Sequence, residues 1–222
     1  MTTAQTCSPA IPAAPSRGLS TKRLSILTAA TEVFCREGFS GACIDEIAAE
    51  ASVSRQTIYN HYRDKEALFV AIVEDIMART GAALSAIVAT FPASPSDIGE
   101  ELEAFAIRLV RNCLCNHDGR FLRKLLQSEG ERYPQLFKAW RRKGSGLPVD
   151  AISGLFLRLK TACLLAIEDV DLAARQFLAL INADLQITTL FGGIPTEEDI
   201  GSAARNAVKT FLRAYPSPAD NA

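Results

Sequence analysis

Hydrophobic residues in this chain recur at intervals of three and four, and nowhere alternate as a half-buried strand does, so the pattern predicts an all-α fold. Leu27, Ala30 and Phe34, flanked by Leu24, Ile26 and Val33, mark a first helix from about Thr21 to Glu37, ended by Gly38. Ile44, Ile47, Ala48 and Ala51 define a short second helix. After Ser52-Val53-Ser54 comes a third, Arg55 to Tyr62, with Ser54 as its N-cap and Ile58 and Tyr62 on one face. Asp64 caps a long helix running from Lys65 towards Thr90, stopped by Phe91-Pro92. Ser94, with Pro95 at the first helical position, opens a helix to about Asn116. Further helices are expected from Asp118-Gly119 to Arg132, Pro134 to Lys143, Val149 to Ile167, Asp169 to Leu190 and Thr196 to Ala214. Residues 1–18, with Pro9, Pro12 and Pro15, read as a disordered arm, and residues 216–222 as a polar tail.

Composition narrows the class. In 222 residues, 24 Lys and Arg stand against 25 Asp and Glu, which argues against a polycation that coats nucleic acid or anionic membrane indiscriminately. With 48% hydrophobic residues the chain can bury a substantial core. No apolar run reaches 18 residues; the greasiest, Ala151 to Ile167, is broken by Arg158 and Lys160, so no membrane span is expected. The N-terminus lacks early Lys or Arg and a continuous apolar stretch, so no secretory signal is expected and the expected location is cytoplasmic. Six cysteines in so long a chain are not a disulfide framework.

Residues 44–62 have the spacing of a helix-turn-helix, in which small Ala48 and Ala51 let two short helices cross closely. Ile44, Ile47, Val53 and Ile58 supply the core side. The opposite face of the second short helix offers Arg55, Gln56, Thr57, Tyr59, Asn60 and His61, all hydrogen-bond donors and none acidic. A helix entering a major groove needs such a face, because base edges and phosphates present mostly acceptors. Charge follows the same plan. Residues 17–31 carry three bases and no acid, 32–50 one base and five acids, and 51–65 three bases and one acid.

The ordered set Ile26-Leu27, Ala29-Ala30, Phe34, Gly38-Phe39, Ile47-Ala48, Val53-Ser54, Thr57, Tyr59, His61-Tyr62, Lys65 and Ala67-Leu68-Phe69 resembles the DNA-binding domain of TetR/AcrR-family transcriptional regulators. Three positions depart from it: Ser52 replaces the common Gly at some backbone cost, Cys43 stands where a Ser or Thr usually caps, and Tyr62 replaces Phe. The resemblance implies base and phosphate contacts from Ser54, Arg55, Gln56 and Thr57, and phosphate contacts from Tyr59 and His61, with Asn60 beside them. It also implies a backbone contact from Lys65 and contacts from Lys22 and Arg23 at the start of the first helix.

Farther along, EGERYPQL (129–136) and QFLALINADLQITTLFG (176–192) resemble segments of the AefR-like branch of that family, Gly130 replacing a usual Ala. That branch implies a helical domain that binds a small molecule, with its last two helices forming a homodimer interface. Phe177, Leu180, Ile181, Asp184 and Ile187 on one helix and Ala204, Val208, Phe211 and Leu212 on the next are the expected interface residues, the alternative being that they belong to an intramolecular core. Arg120 to Lys143 holds eight Lys or Arg and only two acids, which suits an anionic effector or a solvated face. Cys113, Cys115 and His117 raise metal or thiol sensing, but residues two apart on a helix point about 200° away from each other and do not converge on an ion.

The expectation is an all-α homodimer with a DNA-binding domain at residues 19–66 and a regulatory and dimerisation domain at 67–215. Its function would be that of a ligand-responsive repressor on a palindromic double-stranded operator, with no cofactor, no metal and no catalytic role. An activator of the same family, and an all-α small-molecule binder or enzyme without DNA binding, remain the alternatives. No effector or pocket residue is legible.

Overall fold

A computed structural model describes residues 17–135, 137, 138, 140 and 146–217. The expected arm, most of the tail and much of the short helix expected at 134–143 lie outside those residues. Among the described residues there are ten α-helices and no strand. They are α1 (Arg17–Gly41), α2 (Ile44–Glu50), α3 (Arg55–His61), α4 (Lys65–Ala89), α5 (Ile98–Val110), α6 (His117–Glu129), α7 (Leu147–Thr161), α8 (Val170–Ala183), α9 (Gln186–Leu190) and α10 (Glu197–Ala214). A π-helical turn, Arg111–Cys115, links α5 to α6. None of the described helices is long and apolar enough to cross a membrane.

Two hydrophobic clusters organise the chain. In the first, Ile26, Phe34, Ile47, Ile58, Leu68 and Phe69 are buried where α1, α2, α3 and the first half of α4 meet. Phe121 and Leu125 of α6, together with Phe137, close it. The second gathers α5, α7, α8 and α10 around Phe105, Phe156, Phe177 and Phe211. Phe177 is the hub, with ring centroids 5.1 Å from Phe211, 5.5 Å from Phe156 and 6.2 Å from Phe105. Helix α4, about 37 Å long at 1.5 Å per residue, serves both: Leu68 to Met77 enter the first cluster and Leu84 the second.

This packing corrects most of the expected interface. Phe177, Ile181, Ala204, Val208 and Phe211 are between 0 and 5% exposed within a single chain, so they have no surface left for a partner. Leu180 and Leu212 are half-buried against the same cluster. Asp184 is exposed but accepts from Asn206 Nδ2 at 3.2 Å in its own chain. Only Ile187, 66% exposed, presents an apolar side chain outward. Nearby Leu190, Phe191 and Ile194 are also exposed, Phe191 at 83%.

Helix ends differ where a stronger local hydrogen bond prevails. The helix expected from Ser94 begins instead at Ile98, because the Asp97 carboxylate accepts from the N–H groups of Gly99 (2.7 Å) and Glu100 (3.0 Å). The helix expected to reach Ile167 stops at Thr161. There Cys163, at φ +55°, closes the end as Cys163 N–H donates to Lys160 O and Leu164 N–H to Leu159 O. The helix expected to run to Leu190 breaks after Ala183, with Asn182 Nδ2 turned back onto the Leu178 carbonyl at 2.6 Å, and resumes as α9.

Candidate nucleic-acid interface

The reading head is built from the turn outward. Val53 N–H donates to Ala48 O at 3.0 Å and Ser52 N–H to Ala49 O at 3.1 Å, the paired bonds of a left-handed helix end with Ser52 at φ +53°. The backbone cost expected of Ser52 is therefore real. A non-glycine residue in this region costs about 1–2 kcal/mol, and glycine's extra freedom when unfolded takes back about 0.5–1 kcal/mol. Ser52→Gly should then raise stability by about 0.5–1 kcal/mol, measurable as a higher urea midpoint at unchanged slope. Ser25 Oγ donates to Ala51 O at 3.0 Å, holding α1 against this turn one helical turn beyond Lys22. Cys43 makes no side-chain cap for α2, as its chemistry predicts.

Ser54 caps α3 by accepting from Thr57 N–H at 3.1 Å, and its Oγ lies 2.9 Å from Thr57 Oγ1. These two hydroxyls therefore fix the start of α3. Ile58 is buried beneath, and Arg55, Gln56, Tyr59 and Asn60 face outward. Gln56 Nε2 donates to Asn60 Oδ1 at 3.0 Å, aligning two amides along the exposed face. Arg55 Nε lies 2.9 Å from Asp45 Oδ1 of α2, in a pair whose side chains are both more than half exposed. The Tyr59 hydroxyl, and next the Asp45 carboxylate, hold the Arg55 pKa above its usual value, so the guanidinium is a cation at every working pH. An exposed pair of this kind contributes little to the fold and leaves the guanidinium free to exchange its partner.

The remaining expected contacts divide. Lys22 and Arg23 are exposed on α1, and His61 is half-buried at the end of α3. Lys65 is committed inward: its ammonium donates to Ala42 O at 3.0 Å and Ser40 O at 3.3 Å and sits 4.9 Å over the Phe39 ring. It ties α4 to the end of α1 and keeps at most part of its donor capacity for an outside acceptor. Arg36 binds the Glu46 and Glu50 carboxylates of α2, which neutralises acids beside the head.

One part of this region was not legible beforehand. Gly38, at φ +69°, bends the end of α1 so that a Cβ there would stand 2.7 Å from Glu129 Oε1. Glu129, buried at the end of α6, accepts from Phe39 N–H at 3.3 Å. Tyr133 packs its ring 4.8 Å from Phe39 and places its hydroxyl 2.8 Å from Ser40 Oγ. Lys124 donates to the Cys35 carbonyl. The only sequence signal was the EGERY segment, whose contacts lie some 90 residues away along the chain.

Behind this clasp, a cavity of about 380 Å³ opens between α4 and α6. Met77, Thr80 and Leu84 line it from α4, Leu122, Arg123 and Leu126 from α6, and Trp140 from the segment beyond. Cys113, from the π-helical turn, also faces it. Burial pushes the thiols of Cys113 and Cys115 up, keeping them protonated and poorly nucleophilic. His117 pairs with Glu32 at 3.3 Å. Among the described residues, no three His, Cys, Asp or Glu are grouped to hold a metal ion.

Comparison with known proteins bears on both halves of the chain. Residues 26–72 match the profile described as bacterial regulatory proteins, tetR family, and residues 100–217 that of the AefR-like transcriptional repressor C-terminal domain. The transcriptional regulator RutR of Escherichia coli K12 is 37% identical over 62 residues, covering 28% of this chain and 29% of RutR, so the match spans under a third of that relative. A TetR-family regulator from Mesorhizobium loti superposes with a TM-score of 0.82 at 27% identity, covering 90% of this chain and 99% of that one. The flavonoid-responsive regulator FrrA superposes at 0.67 with 25% identity, covering 90% and 98%.

Proposed function

The chain belongs to the TetR family of bacterial regulatory proteins, with an AefR-like C-terminal domain, and we propose that it is a transcriptional repressor that binds a palindromic operator as a homodimer and releases it on binding a small molecule. The observation that carries the reading is the outward face of α3, a row of donors held rigidly by the Ser54 cap and the Ser52 turn. Arg55, Gln56, Tyr59 and Asn60 are the base-reading and phosphate-reading residues, with Lys22, Arg23 and His61 on the flanking backbone. Ser54 and Thr57 contribute as the cap that aims them.

A single seven-residue helix reads too little sequence to be selective. Two heads one helical turn apart, about 34–36 Å, read successive major grooves. The partner surface we assign is the exposed apolar patch of Ile187, Leu190, Phe191 and Ile194, since the aromatic core between α8 and α10 is already filled. The cavity supports ligand response by its position. Its two main walls, α4 and α6, are also the helices attached to the head, α4 directly and α6 through Glu129 and Tyr133. An occupant that moves these helices apart changes the separation of the two heads and biases a two-state equilibrium. The flavonoid response of FrrA, a protein of the same fold, is in keeping with this. Such a regulator acts on the chromosome, hence in the cytoplasm, and has no catalytic step.

Incubating the purified chain with sheared genomic DNA and sequencing the bound fragments tests the proposal. Enriched fragments should share an inverted repeat whose half-site centres are about 10 base pairs apart, bound with two protomers per site. Absence of any shared repeat counts against operator recognition. An operator affinity that stays constant across a broad effector screen counts against induction.

A further inference from the structure

We propose that the effector is a mainly apolar molecule carrying one anionic group, and that Arg123 is the residue that receives that group; this rests on the α4–α6 cavity being the effector site. The cavity wall is mainly apolar, with Leu84, Leu122, Leu126 and Trp140 among its members; Thr80, Asn112 and Cys113 add neutral polar groups, and Arg123 is the one formal charge among its described lining residues.

Arg123 shares the lack of a described ion pair with several arginines, Arg108, Arg120 and Arg158 among them, and differs from these in lining the cavity. Arg36, Arg55, Arg63, Arg79, Arg111 and Arg205 each pair with a carboxylate. Arg123 takes part in no described ion pair. Its one described hydrogen bond, from Nη2 to the Cys113 carbonyl, is stretched to 3.5 Å. Burial lowers its pKa, the sign of a cation that has lost water without gaining a counter-charge. The neighbouring thiols are protonated and cannot supply one. Nor does the sequence of residues 136, 139 and 141–145, which reads Leu, Ala and Arg-Arg-Lys-Gly-Ser. A partly desolvated guanidinium beside a mainly apolar space favours a carboxylate or phenolate over a neutral group of the same shape, because the anion supplies the missing counter-charge.

A second pocket beside Arg123 has the same sign. Arg123 also lines an adjoining pocket of about 190 Å³ with His117, Arg120 and Lys124, and no carboxylate is among its described lining residues. Lys124 and His117 are occupied by Cys35 and Glu32, which leaves Arg120 beside Arg123 as the cations that draw an anion inward. At about 380 Å³ the main cavity suits a small molecule with a ring or short chain, and the Trp140 indole offers it a flat apolar face.

Trp140 is the only tryptophan of the chain, so its fluorescence reports the cavity directly. The probes are phenylalkanoates of increasing chain length, each paired with the phenylalkanamide of the same length, titrated into the full chain. We expect at least one carboxylate to shift the Trp140 emission with an affinity about tenfold or more above its amide. Arg123→Met should bring that ratio to about one by weakening the acid far more than the amide, and Arg123→Lys should keep a preference for the acid. Arg123→Gln carries the same expectation should the methionine variant not fold. Equal binding of acid and amide by the native chain, or a preference that survives in Arg123→Met, overturns the assignment of charge and leaves the cavity reading standing. Failure of every probe, acid and amide alike, to move Trp140 overturns the cavity reading and the anion assignment with it.

Discussion

Replacing Phe177 with alanine is expected to lower the unfolding free energy by about 3–5 kcal/mol, at the upper end of single core truncations. The ring is fully buried and touches three other aromatic rings contributed by α5, α7 and α10, so its removal strips packing from four helices at once. Neighbouring backbones are pinned by their own helices and cannot close the hole. The measurement is urea unfolding of native and variant chains at one fixed concentration, because the proposed dimerisation would make apparent stability concentration-dependent. Ile187→Ala serves as the contrast. With 66% of its surface exposed in the single chain, it should leave monomer stability within about 0.5 kcal/mol and weaken self-association in sedimentation. If Phe177→Ala instead kept its urea midpoint and fell apart into folded monomers, the assignment of this ring to the intramolecular core would be wrong.

That contrast also explains what the sequence made legible. The stripe Phe177, Ile181 on α8 and Ala204, Val208, Phe211 on α10 is amphipathic at the helical period whether it faces another helix of the same chain or a second chain. Periodicity says that a face is buried, not by what. The reading head was legible because its determinants are local: the Ser54 and Asp64 caps, the left-handed turn at residue 52 and the buried Ile47 and Ile58 all lie within 20 residues. Where local signals competed, the stronger acceptor prevailed, as when the Asp97 carboxylate displaced Ser94 as the start of α5. Cys163 in a left-handed turn carries no compositional signal at all. Lys65 has a second role that its position in the sequence does not reveal: Ser40 and Ala42 offer its ammonium two carbonyls, and they are reached only when α4 packs against the end of α1. The Glu129 and Tyr133 clasp is likewise a tertiary fact, invisible until Phe39 and Ser40 are brought to it.

Arg55→Ala is the corresponding test of the head. One lost arginine contact costs about 1–3 kcal/mol per half-site, so a dimer on a palindrome should lose about 2–6 kcal/mol, or roughly thirtyfold to twenty-thousandfold in affinity. The fold should scarcely notice, because the Asp45–Arg55 pair is exposed and pairs of that kind contribute about 0–1 kcal/mol. Operator affinity and urea midpoint, measured on the same preparation, therefore separate recognition from stability. Arg55→Lys then distinguishes the two kinds of contact. Lysine keeps the charge but not the planar fork, so a bidentate contact to a base should lose sequence preference while the salt dependence of binding stays the same. A contact to phosphate alone should be largely restored by lysine, and in the alanine variant the salt slope should fall by about one per half-site. The Asp45 carboxylate sets the direction of the exchange. In the free chain it holds Arg55 at 2.9 Å, and a phosphate backbone would both repel that carboxylate and compete for its partner, so Arg55 is expected to change partners on docking. Unchanged operator affinity in Arg55→Ala would remove α3 from the interface.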